Sequence, residues 1–169
     1  MESEGLIVDE QVMAVVLAVL VIVGLFAGSQ TFFAGRVVEP FSELGVLGPK
    51  MKIGDYPREL IVDESFTLYL YVGNHEGRVM YYALLVKLGN RTTSISDEEP
   101  MDVPVFARYE IVLLDGKNWT RPVTLSVEEP GVNYRLVFEL WTYNEGVRDF
   151  VYHGRWCQLW LNVTKPAVP

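Results

Sequence analysis

The strongest constraint on this chain is an uncharged, apolar stretch near its N-terminus. No Asp, Glu, Lys or Arg occurs between Glu10 and Arg36. The interval, residues 11–35, would form a helix about 37 Å long at roughly 1.5 Å per residue, and the hydrocarbon core of a bilayer is only about 30 Å thick. Its centre is almost wholly Val, Leu, Ile and Ala, without a polar stripe. The pattern predicts one transmembrane helix over 11–35.

The residues that precede this stretch indicate a retained anchor rather than a cleaved signal peptide. The short tail, residues 1–10, carries four acids and no base. Secretory signals begin with a basic region and have a shorter apolar segment. We therefore expect a single-pass protein of the cell membrane, with lipid around its helix.

The net charge argues against nucleic-acid binding, and the cysteine count excludes an intrachain disulfide. The net charge is −8, and no Lys- or Arg-rich run occurs, which argues against nucleic acid as a partner. Cys157 is the single cysteine, so an intrachain disulfide is impossible, and we expect it in a core position.

Short segments of alternating polarity follow a connector rich in Gly and Pro, residues 36–57. In residues 66–72, Leu68, Leu70 and Val72 alternate with Thr and Tyr, the period-2 pattern of a strand with one buried face. Asp115-Gly116-Lys117-Asn118 is predicted to be a hairpin turn. Further strands are predicted at 59–62, 79–88, 105–114, 123–127, 134–143, 150–152 and 156–163.

Many short strands separated by turns are typical of a β-sandwich. No segment after residue 36 has a helical period. The sequence therefore predicts an all-β, immunoglobulin-like antiparallel β-sandwich of seven to eight strands over residues 58–164. A single N-terminal transmembrane helix precedes this domain, and a short tail, residues 165–169, follows it.

Three glycosylation acceptor motifs suggest which side of the membrane the sandwich occupies. Asn90, Asn118 and Asn162 each begin an Asn-x-Thr motif, and the chain has only six asparagines. They predict a glycoprotein with an extracytoplasmic domain. Positive charge argues the other way, because Lys and Arg occur after the helix and not before it. We side with the acceptor motifs, since the acids that follow the helix dilute the basic bias.

The soluble part also resembles an uncharacterised family of archaeal membrane proteins. The resemblance covers roughly residues 37–164 and lies in the run Glu39–Pro49, the pair Tyr56-Pro57, the segment Val72–Gly77, Tyr81, and the closing run Leu159–Val163. It implies membrane helices and an extracytoplasmic β-sandwich. This chain departs from longer relatives in having one membrane helix. The family implies no activity.

No constellation of residues predicts catalysis, a cofactor or a metal. Asn74-His75-Glu76-Gly77 contains a base and an acid, but catalysis needs a converging third group, and a tight turn is the favoured interpretation. His153 is the second histidine, and two scattered histidines do not form a metal site. The acidic loop Asp97–Asp102 lacks the ligand spacing of a calcium loop. We therefore expect a protein that is not an enzyme.

Two features point instead to partners. Aromatic residues crowd the last strands, where they either pack across the sheet or form a face that binds a glycan or a protein; they are Tyr134, Trp141, Tyr143, Tyr152, Trp156 and Trp160. In the membrane segment, Gly24 and Gly28 form a G-x-x-x-G motif, which lets a second helix approach closely. It predicts a membrane-protein partner or self-association.

These observations leave alternatives open. The first is a non-catalytic accessory or interaction subunit of a membrane or cell-envelope complex, such as export or glycosylation machinery. The second is a pilin-like filament subunit processed after Gly5, since Leu6 follows the glycine and Glu10 is the fifth residue after it. Pilin leaders normally carry Lys or Arg before the cut, and this chain has Ser3 and Glu4 there. An enzyme with an unrecognised site is the third.

Overall fold

The N-terminal unit of this computed structural model, which describes residues 9–33 and 39–166, is one long helix. Helix α1 spans Glu10–Phe33. The part from Glu10 to Gln30 is long and apolar enough to cross a membrane, with a mean hydropathy of 2.8. The large apolar side chains from Val12 to Phe26 are exposed on every side of the helix, Leu25 to 70% for example, as expected of a helix that lipid would cover. The predicted helix is confirmed to Phe33; residues 34 and 35 lie outside the described part.

The second unit, which begins at Pro40, is a sandwich of two sheets. The small sheet has the strand order β1-β3-β6, and the large sheet has the order β2-β8-β7-β4-β5. The strands are β1 (Phe41–Leu47), β2 (Glu59–Ile61), β3 (Phe66–His75), β4 (Met80–Gly89), β5 (Val105–Leu113), β6 (Asn118–Leu125), β7 (Gly131–Asn144) and β8 (Asp149–Thr164).

This order is that of an immunoglobulin-like domain. Lettered in chain order, the small sheet reads A-B-E and the large sheet reads A′-G-F-C-C′. Every described pair of strands is antiparallel except β2 with β8, which is parallel. The predicted all-β sandwich is confirmed, with this one parallel pair as the difference.

The core lies between the two sheets and follows the predicted alternation. On β3, Leu68, Leu70 and Val72 are fully buried, and the residues between them face outward. Matching inward rows on β4 and β7 include Leu84 and Phe138. Because side chains alternate across a strand, these rows meet between the sheets; the central strands β4 and β7 also bury residues on their outer face. Cys157 packs against the same core, half-buried, as expected.

Two differences from the sequence-based prediction change the number of strands. Residues 41–47 were predicted as connector but form β1, which pairs with β3 along its whole length. Gly45 and the prolines flanking this segment suggested a break; the eight residues between Pro40 and Pro49 are enough for a strand of seven. Residues 150–152 and 156–163 were predicted as two strands interrupted at Gly154 and form one strand, β8. Gly154, with a φ of 80°, lies in a register shift against β7 and does not end the strand.

The predicted hairpin at Asp115–Asn118 is a turn but not a hairpin. The strands that it joins, β5 and β6, lie in different sheets. Asn74 explains the position of the turn. Its backbone N–H donates to the carbonyl of Lys117 (2.9 Å) and its carbonyl accepts from Gly116 (2.8 Å). The turn is therefore held by β3 and carries the chain from one sheet to the other.

Candidate interaction site

A buried ion pair organises the outer face of the large sheet. Lys87 on β4 and Glu139 on β7 are 5% and 0% exposed, and Lys87 Nζ lies 3.0 Å from Glu139 Oε2. Strand pairing aligns Glu139 with Leu85, so the two charged residues are diagonal neighbours on one face. A buried pair of this kind is tolerated only when further hydrogen bonds satisfy its remaining atoms.

Those further bonds come from the loop that covers this face, residues 90–104. Lys87 Nζ donates to the carbonyl of Met101 (2.7 Å), and Glu139 Oε1 accepts from the Met101 N–H (2.7 Å). Met101 is itself 1% exposed. The ion pair thus fixes both backbone groups of one residue, and through it holds the loop against the sheet.

Four aromatic side chains complete this surface, which we call the aromatic face: Trp141, Tyr152, Trp156 and Trp160. The Trp141 indole N–H donates to Glu139 Oε2 (2.9 Å), and its ring lies 5.6 Å from that of Tyr152. The Tyr152 hydroxyl donates to the carbonyl of Ser96 in the covering loop (2.8 Å). Burial, together with the charges of Glu139 and Asp97, raises the pKa of Tyr152 to about 12.

Arg135 occupies the space between the other two tryptophans. Its guanidinium carbon lies 5.6 Å from the ring centroids of both Trp156 and Trp160, within the range of a cation–π interaction. Nε donates to Gln158 Oε1 (2.6 Å) and a terminal nitrogen donates to the Thr93 carbonyl (2.6 Å). The Arg135 guanidinium, held by these two hydrogen bonds, in turn restricts the positions of the Trp156 and Trp160 rings.

Exposure separates the packed aromatics from those that remain available. Trp160 is 40% exposed and Tyr143 is 38% exposed, whereas Trp141, Tyr152 and Trp156 are half-buried. Trp160 borders a cleft of about 480 Å³ that is also lined by Tyr56, Arg58, Glu59, Asn133 and Gln158. Tyr134 points the other way and packs against the core. Both predicted roles of the aromatic residues therefore occur: most of them pack across the sheet, and Trp160 has an exposed ring that a partner could contact.

The motif Asn74-His75-Glu76-Gly77 begins at the end of β3 and continues into the bend that follows His75, and it separates its histidine from its acid. His75 stacks on Phe41, with ring centroids 4.7 Å apart, and lies 3.6 Å from Glu43. Glu76 points to the other side and meets the second histidine, His153, at 3.5 Å. Each histidine is thus paired with a carboxylate that is not its own sequence neighbour.

The arrangement around Glu76 differs from a catalytic triad. Ser42 Oγ donates to Glu76 Oε1 (2.6 Å) and is 2.8 Å from the hydroxyl of Tyr82. A triad needs the histidine between the serine and the acid; here the carboxylate stands in the middle. Ser42 is 1% exposed, so its hydroxyl does not face a substrate. The network joins β1, β4 and β8 at one end of the sandwich.

The backbone of the acidic loop is held by hydrogen bonds to a serine side chain within the loop. Ser96 Oγ accepts hydrogen bonds from the N–H groups of Glu98 (3.2 Å) and Glu99 (3.0 Å). Within residues 9–33 and 39–166, no group of three or more His, Cys, Asp or Glu side chains is placed to hold a metal ion. The loop lies beside Gly154, where a β-carbon would be 2.5 Å from the Asp97 carbonyl oxygen.

The three acceptor asparagines lie in different surroundings. Asn90 is exposed in a turn, and its Oδ1 accepts from the N–H (2.8 Å) and the hydroxyl (2.7 Å) of Thr92, the threonine of its own motif. Asn118 is exposed at the start of β6. Asn162 is half-buried in β8, and its amide nitrogen, the atom that would carry a glycan, donates to Glu59 (2.8 Å).

The residues predicted to pack helices, Gly24 and Gly28, lie within α1. Apart from the neighbouring backbone of the helix itself, an added β-carbon at either position would meet no atom of the described residues within 4 Å. The processing site predicted at Gly5 and Leu6 lies outside the described residues, and Glu10 is the first residue of the helix.

The Lys87–Glu139 pair and the contacts of Arg135 with two tryptophans were not predicted from the sequence. The available signal was a charged residue on the outward row of an otherwise apolar strand: Lys87 on β4, and Arg135 and Glu139 on β7. That signal identifies each residue alone. Their contact depends on β4 lying beside β7, a pairing between strands distant in sequence.

The fold and this surface define a class: an immunoglobulin-like sandwich that follows a helix able to cross a membrane. A family model described as a domain of unknown function, DUF1616, matches residues 36–162. The chain belongs to that family, and the expectation of a family of unknown function is confirmed. No curated protein matches the chain.

Several solved structures are similar in fold. The CARDB domain of the PF1109 protein from Pyrococcus furiosus, in complex with di-metal ions, is 13% identical with a TM-score of 0.49, over 77% of this chain and 98% of that one. A Listeria innocua β-glucosidase in complex with glucose is 17% identical with a TM-score of 0.44, over 74% of this chain but only 16% of the glucosidase. At these identities the likeness concerns the fold alone.

Proposed function

We propose that this chain is a non-catalytic, membrane-anchored accessory subunit whose sandwich lies outside the cytoplasm and binds a membrane or cell-envelope partner through the aromatic face. The observation that carries the proposal is the exposed ring of Trp160 beside a cleft, held by Arg135 at 5.6 Å. Rigid Trp and Tyr side chains next to arginine are the usual anchors of protein interfaces.

The polar clusters of the sandwich support a non-catalytic function. Ser42, whose hydroxyl donates to a carboxylate, is buried and bonded to Glu76 rather than to His153. Cys157 is half-buried, and burial raises the pKa of its thiol. A nucleophile needs the opposite, an exposed group with a lowered pKa or an adjacent base.

The positions of the acceptor asparagines support an extracytoplasmic sandwich. Asn90 and Asn118 are exposed where a glycan would meet solvent, and Asn162 is bonded to Glu59. Intact-mass spectrometry of the chain from its native membrane tests this placement. We expect a mass increase that Asn90→Gln and Asn118→Gln each reduce and that Asn162→Gln leaves unchanged. An unmodified full-length mass would count against it, and a chain that begins at Leu6 would indicate the processed filament subunit instead.

Co-purification in mild detergent tests the partner. We expect a companion protein in a fixed ratio that Trp160→Ala removes. Val147→Ala is a matched control, because Val147 is 63% exposed in the turn at the opposite end of β8. A chain that purifies alone as a monomer, or a companion indifferent to Trp160→Ala, would contradict the proposal.

A further inference from the structure

The outermost strand of the large sheet, β5, has one open edge. It pairs with β4 on one side, and no other strand pairs with it in the described part of the chain. Proteins usually protect such edges with proline, lysine or very short strands. Among the edge strands, β6 contains Pro122 and β2 has only three residues, while β1 has seven residues without Pro or Lys. β5 has nine residues with neither Pro nor Lys.

The exposed residues of β5 are also unusually apolar for an unpaired edge. Phe106 is 44% exposed and Val112 is 60% exposed. A register shift opposite Val86 and Lys87 lies near Phe106, so the regular part of the strand begins at Ala107. The open backbone from Ala107 onward can accept another strand.

The charges on this edge are complementary to themselves. Arg108 and Glu110 flank Tyr109 on the outer face, and Arg108 Nε is 2.8 Å from Glu110 Oε1. If two copies of β5 pair antiparallel about a two-fold axis through Tyr109, then Arg108 of each copy lies opposite Glu110 of the other. Opposite charges directly across a strand pair are stabilising, and like charges are destabilising.

Competing registers are excluded by the same two residues. An axis at residue 108 would place Arg108 opposite Arg108, and an axis at residue 110 would place Glu110 opposite Glu110. A shift by one residue would put the inner face of one copy beside the outer face of the other, because side chains alternate along a strand. The axis at Tyr109 avoids both the like-charge pairs and the mismatch of faces, and it brings Phe106 near Val112 of the second copy.

The side chains at the centre of the edge are already held within each sandwich. Arg108 lies 4.8 Å from the ring of Phe150, and Glu110 accepts a hydrogen bond from Tyr81. On the inner side, Arg121 of β6 lies 6.0 Å from the ring of Tyr109. Groups fixed before association lose less conformational freedom when a partner arrives.

We propose that two copies of this chain associate edge to edge through β5, antiparallel about Tyr109, which joins their large sheets into one continuous sheet. The occupant of the open edge is a second copy, because the sequence Arg108-Tyr109-Glu110 complements itself at this register. The inference rests on the edge strand and is independent of the aromatic face and of the side of the membrane.

Cysteine cross-linking of the full chain in membranes tests the register. In a Cys157→Ala background, Tyr109→Cys places two thiols at the axis, about 5 Å apart between β-carbons. Val112→Cys is the control on the same strand, since its own copy would lie six residues away. We expect a short bis-maleimide to link Tyr109→Cys chains into dimers at least about tenfold faster than Val112→Cys chains. Equal rates would overturn the proposal.

Charge reversal separates association from folding. Arg108→Glu and Glu110→Arg, each combined with Tyr109→Cys, place only like charges at the axis of their own dimers. Mixed together they restore two opposite pairs across the axis, although each chain keeps its like charges internally. We expect each variant alone to cross-link at least about tenfold more slowly than the parent, and the mixture to form mixed dimers near the parental rate. A mixture no faster than either variant alone would overturn the proposal.

Discussion

Lys87 and Glu139 lie on neighbouring strands of the large sheet, 3.0 Å apart, and both are almost completely buried. Their remaining hydrogen-bonding atoms are directed at one residue of the covering loop, Met101, and at Trp141. A charged pair therefore occupies the position that an apolar contact would fill in most sheets. The pair holds the covering loop and Trp141 in place on the outer face. These hydrogen bonds offset the cost of removing both charges from water.

Removal of one charge of this pair is expected to be severe. Lys87→Met leaves Glu139 buried without its counter-charge, which costs about 3–5 kcal/mol in typical proteins. The free energy of unfolding, followed by tryptophan fluorescence in detergent, measures the loss. Lys117→Met is the control, since Lys117 is exposed, and it should change stability by less than about 0.5 kcal/mol.

The double variant Lys87→Met/Glu139→Gln tests whether the loss is electrostatic. No net charge then remains buried, and the glutamine oxygen can still accept from the Met101 N–H. We expect it to be more stable than Lys87→Met alone. A double variant as unstable as the sum of its two single changes would show that shape, and not charge, governs this position.

Gly154 is expected to tolerate no side chain. Its φ is 80°, and a β-carbon would lie 2.5 Å from the Asp97 carbonyl oxygen. Gly116 has a φ of 68° with no atom within 4 Å of the added carbon, so Gly116→Ala should cost only the left-handed conformation, about 1–2 kcal/mol. Gly154→Ala should cost about 1–3 kcal/mol more. Thermal unfolding of the two variants side by side measures the difference, and equal losses would contradict the close approach.

Asn74 is expected to be needed both for the connection between β3 and β4 and for the turn between β5 and β6. Its fully buried amide donates to the carbonyls of Arg78 and Leu113, both at 2.8 Å, and accepts from the Glu76 N–H. Asn74→Ala leaves these groups without partners, a loss of about 2–3 kcal/mol. Denaturant unfolding measures it, with exposed Asn118→Ala as the control. A loss as small as that of the control would mean that water replaces the amide.

Cys157 is expected to react slowly with maleimide. Burial raises the pKa of its thiol, and the thiolate is the reactive form. At pH 8 the folded chain should therefore label at Cys157 far more slowly than at an engineered, exposed Lys117→Cys, measured by mass spectrometry. The rate at Cys157 should rise with pH above the ordinary thiol pKa of about 8.5. Equal rates in folded protein would show that the thiol is accessible.

The helix and most strands follow from local pattern, because an uncharged stretch or a period of two residues is a property of a short segment. Leu68, Leu70 and Val72 show this directly. The contacts between distant segments do not follow: β5 and β6 are joined by a turn of hairpin composition, yet Asn74 on β3 decides where that turn lies. The partners of Glu76 and Lys87 depend on strand order in the same way. Strand β1 was missed because glycine and proline around it resemble a linker.

The parallel pairing of β2 with β8 determines how the domain bears mechanical load. Glu59, Leu60 and Ile61 lie opposite Asn162, Val163 and Thr164 in the same direction, with Asn162 N–H bonded to the Arg58 carbonyl (2.7 Å) and Val62 N–H bonded to the Thr164 carbonyl (2.9 Å). A force that pulls the chain before β2 away from the chain after β8 therefore acts along both strands in opposite senses. It loads these bonds in shear, all at once, rather than opening them one after another.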